Sequence, residues 1–148
     1  MSAGLWVLLV AVAVAVGFGS YRAATDGRFR GTHQVRGAEP AAQTADDRPA
    51  VAYDVDLGER ATLLQFSSAF CAPCRAARRT LGEVATAVPG VRHVEVDAES
   101  DLELVRRLGI MRTPTTLVLD ARGREVTRAS GAPTKDQVLT ALALVNPE

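Results

Sequence analysis

Phe70-Cys71-Ala72-Pro73-Cys74-Arg75 holds the only two cysteines of this 148-residue chain and sets them two residues apart. That spacing suits a reversible disulfide between neighbours, because the second thiol can attack a mixed disulfide formed by the first and release the substrate without a third partner. Upstream, Ala61-Thr62-Leu63-Leu64-Gln65-Phe66-Ser67 is rich in strand formers; downstream, Leu81, Val84, Ala85 and Val88 recur at helical spacing. The cysteines therefore fall on a strand-to-helix turn. Pro73 fits the first helical turn, where its missing N–H is no loss. Cys71 then lies just ahead of the helix, where unpaired N–H groups and the positive dipole end favour thiolate over thiol. Arg75, Arg78 and Arg79 add positive charge. Cys71 is expected to attack, and Cys74, one turn deeper, to resolve.

Other segments line up behind this turn. Val94-Glu95-Val96-Asp97 leads to a helical repeat over Leu102 to Ile110, Thr113-Pro114-Thr115 opens a strand that turns back at Gly123, and Gly131 precedes a last amphipathic segment. Together with the cysteine pair they resemble the thioredoxin superfamily over roughly Ala50 to Val145. The resemblance implies an α/β thioredoxin-like fold, a central mixed sheet flanked by helices, with Val94–Asp97 in its central strand. It implies a thiol-disulfide oxidoreductase whose redox-active disulfide is Cys71-Cys74, with Phe70, Ala72, Pro73 and Gln65 supporting it. Thr113 and Pro114 match the family's cis-proline loop, which packs on the cysteine turn and offers backbone groups to the substrate; Gly131 matches a substrate-facing glycine. The chain also departs from the pattern. Phe70 stands where a tryptophan is usual, Gln65 where a buried acid is usual, His93 where that acid's lysine partner is usual, and Arg79 where a helix-kinking proline is usual. Gln65 cannot take a proton from Cys74, so a bound water or a neighbouring group has to serve.

Length favours one domain of roughly 100 residues with appendages. From Ser2 to Tyr21 no residue is charged, which supplies about the ~20 apolar residues a helix needs to cross ~30 Å of hydrocarbon. Residues 3–21 are therefore expected to form a single transmembrane helix, with Trp6 and Tyr21 near its ends. A cleaved signal peptide is the weaker reading, since no Lys or Arg precedes the run and Phe18-Gly19-Ser20-Tyr21 is a poor cleavage site. Arg22, Arg28, Arg30 and Arg36 follow the span, so the positive-inside rule leans the redox domain to the cytoplasm, with an extracytoplasmic domain as the alternative. Residues 22–50, with Gly37, Pro40 and Asp46-Asp47, read as a flexible linker, and 51–146 as the thioredoxin-like domain. Val51 to Leu57 is a candidate edge strand. Ser100-Asp101-Leu102-Glu103 and Thr134-Lys135-Asp136-Gln137 match the capping box, which predicts helix starts near Asp101 and Lys135. Leu102, Val105 and Leu108, and Val138, Leu142 and Val145, are the expected core faces.

A zinc site would need two ligands besides the cysteines, and the histidines are His33 in the linker and His93 at a strand start, so neither metal nor other cofactor is expected. A formal net charge of zero gives no hint of nucleic-acid binding. The expected function is reduction of protein disulfides near the membrane, with an external thiol reductant or reductase as the second partner. Two other classes stay open: an extracytoplasmic thiol oxidase or reductase for envelope or cytochrome thiols, and a non-catalytic thioredoxin-like binding module.

Overall fold

The strand and helix repeats assemble into an α/β sandwich in a computed structural model that describes residues 3–30 and 55–145. Along the chain run α1 (Ala3–Thr25), β1 (Phe29–Arg30), β2 (Ala61–Ser67), α2 (Ala72–Ala87), β3 (Val91–Asp97), α3 (Leu102–Arg107), β4 (Thr115–Asp120), β5 (Glu125–Ser130) and α4 (Lys135–Leu142). The sheet order is β1-β5-β4-β2-β3, and among the described residues only β2 and β3 pair in parallel. All seven residues of β2 are buried, as a strand paired on both edges and covered on both faces must be.

Alternation along the strands sorts the core into two halves. Ala61, Leu63 and Val118 pack with Leu81 and Val84 of α2 and Val138 of α4 on one face. Leu64, Phe66, Leu117 and Leu119 pack with Leu104, Leu108 and Ile110, in and after α3, on the other. The β4–β5 hairpin closes at Asp120, whose carboxylate accepts the backbone N–H groups of Arg122 and Arg124 at 2.8 and 2.9 Å, with Gly123 at φ 74°.

Several expectations change. The strand expected at the centre of the sheet, β3, is an edge strand among the described residues, and β4 and β2 are central. Of the candidate edge strand, residues 51–54 lie outside the described residues and Val55 to Leu57 are not in a strand; β1 takes the edge beside β5 instead. The first part of the expected linker is also ordered structure, since residues 22–30 contain the end of α1, a turn and β1. Residues 31–50 and His33 lie outside the described residues. Helix α3 is capped by Asp101, whose side chain accepts from Leu104 N at 3.0 Å, while Ser100 donates to Asp97 O. The helix starts one residue later than a Ser100 cap would set it. Against expectation, Leu104 is buried and Leu102 is exposed. At α4 the expected capping box forms in full between Thr134 and Gln137.

Helix α1 is apolar all round, and over Gly4–Arg22 it is long and apolar enough to cross a membrane. None of that span is buried against the rest of the chain. An unburied helix with no polar face suits a lipid environment or a signal sequence.

Candidate functional site

Cys71 and Cys74 are joined by a disulfide with a Cα–Cα separation of 5.2 Å. Extended backbone at Cys71 makes it the N-cap of α2, and its Sγ accepts the Cys74 N–H at 3.1 Å. The N-cap role usually falls to an oxygen; here sulfur takes the position facing the orphan N–H groups. Pro73 follows in the first turn. Cys74 is 2% exposed, whereas Cys71 is only half-buried. The two residues thus differ in access: Cys71 is open to a partner, whereas Cys74 is almost wholly covered.

Beneath the disulfide, Gln65 is fully buried and uses both ends of its amide. Its Nε2 donates to Ser67 Oγ at 2.7 Å and to the Cys74 carbonyl at 3.0 Å; its Oε1 lies 3.1 Å from His93 Nε2. An amide oxygen can only accept, so Nε2 of His93 carries the proton and Nδ1 is left as an acceptor. Burial lowers the His93 pKa, helped by Arg78 and opposed by Glu95, and the ring is held neutral. On Glu95 burial acts to raise the pKa, but hydrogen bonds from Arg78 and Ser67 and the nearby charge of Arg78 outweigh it and keep the carboxylate ionised. Arg78 grips Glu95 at 2.6 and 2.7 Å. The parallel register explains the grouping: Leu63, Gln65 and Ser67 stand beside His93, Glu95 and Asp97. Thr116, opposite Gln65 on β4, is fully buried, and its hydroxyl has no hydrogen-bond partner.

The rim comes from distant loops. The Thr113–Pro114 peptide is cis. Ser68 Oγ and Thr113 Oγ1 lie 3.0 Å apart, joining this loop to the chain just before the cysteine turn, and Gly131 N donates to Pro114 O at 2.7 Å. Phe70 is fully exposed beside Cys71, as is Met111 nearly so beside the 112–114 loop. A cavity of about 350 Å³ opens beside the disulfide, lined by Ser67, Ser68, Cys71, Cys74, Arg75 and Glu95 among others. Gln65, Ala72 and Pro73 thus meet the cysteines, and Thr113, Pro114 and Gly131 meet one another. Among the described residues no three His, Cys, Asp or Glu side chains converge as a metal centre would require.

The Thioredoxin family model matches residues 48–143, well over half of the chain. The chain belongs to the thioredoxin family. Its thioredoxin domain is similar to spinach chloroplast thioredoxin f in its short form, at 25% identity and TM-score 0.53, over 60% of this chain and 78% of that one. It also shares the fold of the Fasciola hepatica thioredoxin, at 24% identity and TM-score 0.53, over 60% of this chain and 84% of that one. No curated protein matches the sequence. A thioredoxin domain carrying the Cys71-Cys74 pair is a thiol-disulfide oxidoreductase.

Ser67, Ser68 and Glu95 were not singled out from the sequence. The signal for Glu95 is the run of polar residues at alternate positions 93, 95 and 97, on the face that α2 covers. Such positions at the carboxyl ends of parallel strands border the crevice where α/β proteins bind ligands.

Proposed function

We propose that this thioredoxin reduces disulfides of proteins at the membrane surface. The unequal exposure of the two cysteines carries the reading. Cys71 thiolate attacks one substrate sulfur, forms a mixed disulfide and expels the other sulfur as a thiolate. Cys74 then passes its proton to water in the adjoining cavity or to a carboxylate lining it, attacks Cys71 Sγ and expels the second substrate thiolate. The substrate has gained two electrons, and the protein holds the Cys71-Cys74 disulfide until an external dithiol reductant restores it. Thr113 and Pro114 would hold an extended substrate segment through backbone groups, with the Gly131 N–H fixing the Pro114 carbonyl and Phe70 offering an apolar platform. Cys74→Ser should trap mixed disulfides through Cys71, and Cys71→Ser should trap none, read on non-reducing gels. Trapping by the Cys71→Ser protein alone would reverse the roles.

Arg22 and Arg28, both exposed at the end of α1 and just after it, support a cytoplasmic domain on a single-pass anchor. In that reducing compartment the resting pair would be mostly dithiol. A C-terminal fusion should fluoresce as green fluorescent protein and be silent as alkaline phosphatase. Phosphatase activity would instead favour the envelope-facing oxidase or reductase.

A further inference from the structure

The turn after α1 is fitted into the substrate rim with no room to spare. Gly27 is buried at φ 74°, donates its N–H to Ser130 O at 2.8 Å, and would drive a Cβ to 2.3 Å from Ala132 O. From the other side, a Cβ on Gly131 would come within 2.8 Å of the Asp26 carboxylate and 2.9 Å of Gly27 N. Arg112 Nη2 bridges Asp26 Oδ1 at 2.9 Å and Ser130 O at 3.0 Å. Two residues on, β1 pairs with β5, and Phe29 packs on the α2–α4 half of the core. The Arg112–Asp26 pair is about half exposed and adds little stability by itself. Close backbone fit and the strand pairing are what hold the turn.

We propose that this turn is a clamp that fixes the thioredoxin site at the bilayer surface, so that its substrates are cystines in juxtamembrane segments of integral membrane proteins. The proposal rests on the oxidoreductase reading and on α1 as an anchor. Asp26 lies only about 6 Å of helix rise beyond Arg22, the end of the apolar span. From there the contacts run to Gly131 and Arg112, and through the Gly131 N–H to Pro114 O, in the loops proposed to hold substrate. Residues 31–54 lie between β1 and the rest of the domain, so they do not separate anchor from site as a spacer would. A site held in this way has a high effective concentration for disulfides near the lipid and little for those beyond its reach.

Two measurements on the full-length protein in liposomes test this. Nitroxides on Ser20→Cys and Ala121→Cys, in a Cys71→Ser/Cys74→Ser background, should give one narrow distance distribution that broadens in Gly27→Val and in Asp26→Lys. A broad distribution without those changes overturns the clamp. With both cysteines present, reduction of a disulfide-bridged loop on a co-reconstituted transmembrane helix should fall at least about tenfold when a long flexible spacer lifts the loop from the lipid. Asp26→Lys should flatten that dependence; because Asp26 packs on the Gly131 loop, the readout is the ratio of the rates at short and long spacer, and an unchanged ratio overturns the clamp. Equal rates at every spacer length overturn the substrate assignment. If no disulfide is reduced at either spacer length, the oxidoreductase reading fails, and the label distances alone decide the clamp.

Discussion

Gln65 stands where the family resemblance puts a buried acid, and it acts as a hub in place of a base. Its amide ties Ser67, the Cys74 carbonyl and His93 together, so the proton of Cys74 has no acceptor directly below it. Glu95 and Asp97, one strand over, line the same cavity as both cysteines and are the carboxylates it offers for that task. A lowered His93 pKa has a consequence for stability with a definite sign. The folded value lies below the ordinary 6.5, so on acidification the unfolded chain takes the proton first. The stabilisation is fully present above about pH 6.5 and is lost as pH falls through the lower folded value. His93→Gln, which keeps a donor for Gln65, should flatten the decline in urea stability between neutral pH and about pH 5. An equally steep decline in the variant would assign the pH dependence to other groups. Glu95 acts in the same direction, but only below the ordinary carboxylate range.

Helix starts show how far local signals reach. Thr134 and Gln137 satisfy each other's backbone groups as their spacing predicts. Ser100 and Glu103 have the same spacing, yet Asp101 takes the cap. A carboxylate there accepts more strongly than a hydroxyl and also faces the positive end of the helix. In this helix Leu104 is turned inward and Leu102 outward, which the spacing of Leu102, Val105 and Leu108 does not reveal in so short a segment. Asp101→Ala should cost about 1 kcal/mol in equilibrium urea unfolding, and Ser100→Ala only a few tenths. The reverse order would return the cap to Ser100.

For the molecule as a whole, the boundary between anchor and domain is the main revision. A split at Tyr21 would leave Asp26, Gly27 and β1 attached to the domain, whereas a split after Arg30 would remove them. Deleting Met1 to Tyr21 should therefore give a soluble, folded and redox-active protein. Extending the deletion through Arg30 should lower unfolding stability by about 1–2 kcal/mol, given the partial burial of Phe29 and the lost pairing. Equal urea midpoints for the two truncations would show that the segment adds nothing to the fold. Loss of insulin-disulfide reduction in the shorter truncation, if it remains folded, would give the anchor a direct part in the chemistry.

Thiol redox chemistry on a strand-to-helix turn, the order of strands and helices behind it and the apolar helix ahead of it were legible in the residues alone. Each depends on near neighbours: a two-residue cysteine spacing, alternation along a strand, a helical repeat, a run without charge. The hub of Gln65, His93 and Glu95, the meeting of Ser68 with Thr113, and the seating of Gly27 against Gly131 were not legible. Their partners lie 28, 45 and about a hundred residues apart, and the register of β2 on β3, the pairing of β2 with β4 and the return of β5 along β1 bring them into contact. A glycine in a linker looks flexible until the backbone it must fit against is in place; here that backbone is the Gly131 loop, and tertiary packing turned an apparent tether into a clamp.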